Sequence, residues 1–240
     1  MDSSDGSTVL VPVDVSAEGT PPVGILGLLS AVDVVLLGYY PVPSQAAPAQ
    51  IKHQHGSDAA ERLRALKETL EPRAGTVVDE LYYTHDREET IDRVADEYGC
   101  DAVLRLGPAD DVNRILVPLR GGSNIERILG LVGDLLRASD ASVTLFHSAE
   151  ADSDPEYGET LLADAADRLH AAGIDPDRVE RQLSTTVETG EDLVDRAREY
   201  DVLVLGETEP SLRERILGVV PRQTISGTDV PVFVVRNRTA

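Results

Sequence analysis

A chain of 240 residues has room for two domains of ordinary size. Its 43 acidic and 22 basic residues leave a formal net charge of −21, which repels nucleic-acid phosphates and anionic lipid headgroups, so binding to nucleic acid or to a membrane surface is disfavoured. Lys52 and Lys67 are the only lysines, and this acid-rich, lysine-poor balance suggests a protein that works in concentrated salt, where self-repulsion is screened.

Aromatic residues make up only 4% of the chain and Trp is absent, so any core must rest on Val, Leu, Ile and Ala. The single cysteine, Cys100, rules out a disulfide framework within the chain and fits a reducing compartment. The polar, acidic start from Met1 to Gly6 has no secretory pattern. The apolar stretch Val23 to Leu37 is interrupted by Asp33 and is too short to span a bilayer. A cytoplasmic protein without membrane insertion is expected.

In chain order, the first elements are a strand over Val9–Val13, a helix over Val23–Ala31 and a strand over Val34–Tyr40. Residues 41–56, rich in Pro, Gln and Ala, read as a loop, followed by a helix over Asp58–Leu70 with Leu63, Leu66 and Leu70 on one face. A strand over Thr76–Tyr82, a helix opened by Asp86 and Glu89, and a strand over Ala102–Leu106 complete this run.

The next run opens with a strand over Ile115–Leu119, a continuous apolar stretch suited to burial on both faces. Ser123-Asn-Ile-Glu126 has the form of a capping box, and Ile125, Ile128, Leu129, Val132 and Leu136 follow at helical spacing. A strand over Ser142–Phe146, a helix from Ser153 to near Gly173, a strand near Val179–Leu183 and a helix capped from Thr189 come next. A strand over Val202–Leu205, a helix over residues 211–225 and a strand over Val230–Val235 close the chain. Strands alternating with helices predict parallel sheets with right-handed crossovers.

The two runs repeat each other. Thr8-Val-Leu-Val-Pro-Val-Asp14 matches Arg114-Ile-Leu-Val-Pro-Leu-Arg120. Ala95-Asp-Glu-Tyr98 and Asp101–Gly107 match Ala197-Arg-Glu-Tyr200 and Asp201–Gly206. Only Pro108–Asn113 lies between the last strand of the first run and the first strand of the second, so no closing helix and fifth strand are expected before the second run. This predicts two α/β domains of open parallel sheet, a truncated one over 1–110 and a complete one over 111–240, packed as a pseudo-dimer. The edge of the shorter sheet would lean on its partner, and Val230–Val235 would be an edge strand available for self-association.

Ile115-Leu-Val-Pro118, Ser142-Val-Thr-Leu-Phe-His147, Tyr200-Asp-Val-Leu-Val-Leu-Gly206 and Asp229-Val-Pro-Val-Phe-Val-Val-Arg236 together resemble the universal stress protein family. The resemblance covers 114–236 fully and 8–107 in truncated form. It implies a Rossmann-like, adenine nucleotide alpha hydrolase-like fold. The family includes members that bind ATP and members that do not. In the binders, an acidic residue after the first strand holds the ribose, and a loop Gly-x-x-Gly, nine residues, then Gly-Ser or Gly-Thr holds the phosphates. Glycines let backbone N–H groups approach the phosphates, and the hydroxyl adds a donor.

On that pattern the nucleotide-contacting positions of the second half are Pro118, Leu119, Leu205, Gly206, Gly218 and Val219. The pattern is broken at three of its places. Arg120 stands where the ribose carboxylate belongs, Glu209 replaces the second glycine, and Val219 replaces the hydroxyl. A carboxylate about 4 Å from a phosphate costs roughly 4 kcal/mol per charge pair at an effective dielectric of 20. Glu207 and Glu209 are both candidates for that clash, while Arg213 and Arg215 read as partners of nearby Glu. In the first half Asp14 matches the ribose position, but no phosphate loop follows Gly107. A site shared between the halves would draw Asp14 and Gly206 from separate sheets.

No cofactor is therefore expected, with ATP and magnesium as the alternative. The role implied is a non-catalytic stress-response module that self-associates or binds a protein partner. Similar domains attached to transporters make a transporter partner an analogy. His53 and His55 sit in the predicted loop without a third ligand, His85-Asp86 reads as a helix cap, and Cys100 has no activating base near it in sequence.

Overall fold

The computed structural model describes residues 6–17, 23–109, 111–120, 124–148, 155–184, 190–207 and 230–237. The strands are β1 (Thr8–Asp14), β2 (Asp33–Pro41), β3 (Val77–Thr84), β4 (Ala102–Arg105), β5 (Arg114–Pro118), β6 (Ser142–Ser148), β7 (Val179–Ser184), β8 (Val202–Gly206) and β9 (Val232–Val235). The helices are α1 (Val23–Leu28), α2 (Pro48–Leu70), α3 (Arg87–Glu97), α4 (Ile125–Arg137), α5 (Pro155–Ala171) and α6 (Gly190–Ala197).

All nine strands among the described residues belong to one sheet in the order β3-β2-β1-β4-β9-β8-β5-β6-β7. Every pairing is parallel except β4 with β9, where Ala102 faces Val235 and Arg105 faces Val232. The order β3-β2-β1-β4 recurs as β7-β6-β5-β8, with β9 added. A matching anchor begins each unit. Asp101 takes the backbone N–H of Thr8 at 3.0 Å, and Asp201 takes that of Arg114 at 2.9 Å.

Two expectations change here. Val230–Val235 was expected as an edge strand, yet β9 lies in the interior of the sheet with β8 on one side and β4 on the other. The two expected sheets are one, because the exposed edge of β4 meets its hydrogen-bonding needs on β9. Neither pairing has a local sequence signal, since β4 and β9 lie some 130 residues apart.

The strands are nearly uniform apolar runs because both faces are covered. On one face, α1, α2, α4 and α5 share a continuous core that runs from Val9 and Leu36 through Ile115 and Val143 to Phe233 and Val235. The other face holds two separate clusters. One joins Leu10, Val35 and Leu37 to Ile91, Val94 and Cys100 near α3; the other joins Leu116, Leu203 and Val234 to Leu193, Ala197 and Tyr200 near α6.

A buried carboxylate also crosses the boundary between the two units. Asp134 of α4 accepts from the Ser7 backbone N–H at 2.9 Å and from the Ser7 hydroxyl at 2.6 Å, and pairs with Arg137 at 2.7 Å.

Helix α2 begins at Pro48 rather than Asp58, so His53 and His55 are helical, not in a loop. Proline at the first helical position is preorganised for a start, and one interior Gly56 is too small a penalty to break a helix of 23 residues. The expected capping box at α4 is not described, because it needs Ser123. Ser123 lies outside the described residues, Asn124 makes no cap bond, and Glu126 instead pairs with Arg168 at 2.9 Å. The expected helix over 211–225, and the caps at Ser153 and Thr189, also lie outside the described residues.

Candidate functional site

In an open α/β sheet, ligands bind beyond the carboxyl ends of strands where the strand order reverses. In the C-terminal unit that point lies between β5 and β8. Ile115 lies beside Val202 and Leu116 beside Leu203, and Pro118, Leu119, Leu205 and Gly206 lie at the carboxyl ends of these two parallel strands. Four of the expected positions therefore meet at one edge. Gly218, Val219 and Glu209 lie outside the described residues, as do Arg213 and Arg215.

Polar groups surround this edge. The Leu119 backbone N–H donates to the Phe146 carbonyl at 2.7 Å. His147, buried at the end of β6, lies with Nδ1 2.6 Å from the Leu119 carbonyl. A carbonyl can only accept, so Nδ1 carries the proton. That contact uses the strand-end imidazole to hold the end of β5. Asn124 donates from Nδ2 to the Val235 carbonyl at 3.1 Å, tying the start of α4 to the end of β9, and its buried Oδ1 has no partner among the described residues. The Asn124 link has no motif in the sequence.

Two charged groups flank the junction. Arg120 is exposed just past β5. Glu207, just past β8, accepts from the Asn237 backbone N–H at 2.8 Å, while its own N–H donates to Val235 at 2.7 Å. A ribose hydroxyl pair wants an acceptor after β5, and a phosphate wants donors after β8. The side chains at these two positions supply the opposite.

In the N-terminal unit the equivalent edge carries Asp14. Its Oδ1 accepts from the Ser16 N–H at 2.8 Å and from the Ser16 hydroxyl at 2.6 Å, closing a tight turn. Arg62 of α2 holds that turn through the carbonyls of Val15 and Ser16, at 2.9 and 3.2 Å. The Arg87 guanidinium lies 5.3 Å from the centre of the Tyr39 ring, and Arg105 pairs with Glu88 at 2.8 Å. Burial pushes the Tyr39 phenol above its ordinary value, against the pull of Arg87.

Asp14 and Gly206 end strands of opposite direction, because β4 and β9 are antiparallel. They therefore face opposite ends of one sheet, which forbids a shared site. The separation expected between them holds for this reason and not because the sheets are separate.

His53 and His55 are two positions apart on α2, a spacing that turns their side chains away from each other. His55 stacks on Tyr40 at 5.4 Å, and Tyr40 on Tyr83 at 5.6 Å. Asp86 caps α3 by accepting from the Glu89 N–H at 3.0 Å, and His85 contacts the Val42 carbonyl at 3.1 Å. Cys100 is buried. No group of three metal-ligating side chains is found among the described residues, and no described helix is long and apolar enough to cross a membrane.

The fold is shared with solved structures. A universal stress protein from Archaeoglobus fulgidus aligns with a TM-score of 0.62 at 14% identity, covering 96% of each chain. The cytoplasmic domain of a prokaryotic cation chloride cotransporter aligns with a TM-score of 0.55 at 14% identity, covering 95% of each chain. No curated protein matches the chain. The model of the universal stress protein family matches residues 112–236, which span β5 to β9 and more than half of the chain. The chain therefore belongs to the universal stress protein family.

Proposed function

We propose that this protein is a non-catalytic regulatory or interaction module of the stress response, built as a tandem of two such domains over 1–110 and 111–240. The two units pack as a pseudo-dimer through the β4–β9 seam. The nucleotide site is degenerate in both units, and the protein works by binding another protein or a second copy of itself. The observation that carries this reading is the reversed polarity at the β5–β8 junction, where Arg120 stands in the place of an acceptor and Glu207 in the place of donors. Asp14 supports it from the other side, since its Oδ1 is committed to Ser16 and no phosphate loop follows Gly107.

A second reading is adenine-nucleotide binding by the C-terminal unit, with Pro118, Leu119, Leu205, Gly206, Gly218 and Val219 as contacts. Its support is Asn124, whose buried Oδ1 has no donor among the described residues at the same edge. A regulator of a membrane transporter is one form the first reading can take; the fold shared with the cotransporter domain is compatible with it.

Calorimetric titration of ATP and AMP in molar salt, with and without magnesium, separates the first two readings. No heat up to millimolar nucleotide is expected. Micromolar binding would overturn the first reading, and Glu209→Gly would then be expected to tighten it.

A further inference from the structure

Strand alternation carries three polar side chains to one place at the carboxyl ends of the N-terminal unit. Leu10, Leu37 and Val103 lie in the cluster near α3. Asp14 follows Leu10 by four residues on β1, Tyr39 follows Leu37 by two on β2, and Arg105 follows Val103 by two on β4. All three therefore share the α3 face of the sheet. Their strands are neighbours in the order β2-β1-β4, and Asp14 lies beside Tyr39 in register. The start of α3 adds Arg87 and Glu88. Arg87 lies 5.3 Å from the centre of the Tyr39 ring, and Glu88 pairs with Arg105 at 2.8 Å.

Two donors in this cluster lack an acceptor. The Tyr39 side chain is buried, with the residue 7% exposed, yet its hydroxyl makes no hydrogen bond among the described residues. The buried Arg87 Nε makes none either, and its contact with the Glu88 carboxylate is 3.5 Å. Buried donors left without acceptors are costly and rare, so their pairing here points to a missing acceptor. Burial raises the Tyr39 phenol above its ordinary value, so it keeps its proton at neutral pH and remains a donor.

The charges point the same way. Arg87 and Arg105 share the Glu88 carboxylate, which is 55% exposed and so held only loosely. Asp14 Oδ1 is committed to Ser16. When Glu88 turns out to solvent, the two guanidiniums outweigh Asp14 by one charge.

We infer that Tyr39, Arg87 and Arg105 form a site for a small oxyanion such as phosphate, in which Glu88 is the occupant that the chain itself supplies. A tetrahedral oxyanion brings more acceptor oxygens than a carboxylate, enough to answer two guanidiniums and a phenol together. The site needs neither a glycine loop nor a ribose carboxylate, so it stands apart from both readings of the nucleotide edge.

Calorimetric titration of inorganic phosphate into the full chain in molar KCl tests it, with AMP titrated in parallel. Phosphate is expected to bind in the millimolar range. Glu88→Gln removes the competing carboxylate while keeping every donor, and should tighten binding about tenfold. Arg105→Gln should weaken binding at least tenfold, and Tyr39→Phe about tenfold through loss of the hydroxyl alone. Far-UV circular dichroism confirms that the variants keep the fold. Phosphate binding without AMP binding assigns the site to the free ion. AMP binding that is lost in Arg105→Gln assigns it to a phosphate carried on a nucleoside, which supports the site and overturns the interaction-module reading. No phosphate binding to Glu88→Gln at tens of millimolar, or binding indifferent to both Arg105→Gln and Tyr39→Phe, would overturn the site and leave the interaction-module reading standing.

Discussion

Replacing Asp134 by Ala tests how strongly the two units depend on each other. The carboxylate is buried, 4% exposed, and its Oδ2 accepts two bonds from Ser7, the residue that leads into β1. A hydrogen bond to a charged acceptor contributes about 1.5–3 kcal/mol. Ser7 is only half-buried, so water recovers part of the loss at its N–H and hydroxyl. The pair with Arg137 adds little, because that side chain is 52% exposed. The expected cost of Asp134→Ala is therefore about 2–4 kcal/mol. Asp134→Asn keeps an oxygen for Ser7 and should cost about 1 kcal/mol. Urea unfolding at fixed high salt gives both values from the shift of the midpoint at constant slope. Ser7→Ala combined with Asp134→Ala should cost less than the sum of the single changes, since both remove the hydroxyl bond. A cost for Asp134→Ala below about 0.5 kcal/mol would refute the claim that this contact couples the units.

Other outcomes follow from single contacts. A Cβ at Gly158 would lie 2.7 Å from His147 Cδ2 and 2.8 Å from Leu183 Cδ1, so Gly158→Ala should destabilise by about 1–3 kcal/mol in thermal or urea unfolding. The Tyr98 phenol is pushed up to about 12, chiefly by its hydrogen bond to Glu80. Its folded value exceeds the ordinary 10.0, so the folded state holds the proton more tightly. This contribution is complete below pH 10 and is lost as pH rises toward 12. Spectrophotometric titration of Glu80→Gln should show one tyrosine returning to the ordinary range, and an unchanged curve would contradict the assignment. The net charge of −21 predicts that dilution into low ionic strength unfolds the protein, as followed by circular dichroism; full stability in dilute buffer would remove the case for a high-salt protein.

What could be read in the sequence was what local pattern encodes. Ile115 to Pro118 is apolar without alternation because β5 is covered on both faces, and that pattern announces a buried parallel strand without further information. The position of β9 could not be read in the same way. Val232 to Val235 would look identical at an edge or in the interior, and only the distant pairing with Ala102 to Arg105 decides. The start of α2 was marked by Pro48, but a segment with several prolines and Gly56 favours a loop until tertiary packing of Ala59, Leu63 and Leu66 settles it.

The candidate site divides along the same line. Pro118, Leu119, Leu205 and Gly206 fall together because two neighbouring strands carry them. Asn124 escaped because Asn before a helix reads as a cap, whereas here its amide serves the Val235 carbonyl. Gly158 escaped because its need for a missing side chain comes from His147, on another element.

The position of β9 also bears on how the protein is made. It is the last of the nine described strands to leave the ribosome and occupies the fifth place of nine in the sheet. Until it arrives, β4 and β8 each present an unfinished edge, and nothing joins the two blocks of strands within the sheet. Nascent chains are therefore exposed to wrong edge pairing at β4 and β8 until β9 has been made. A stop codon before Val232 would spare the other eight described strands yet would leave the sheet without its keystone.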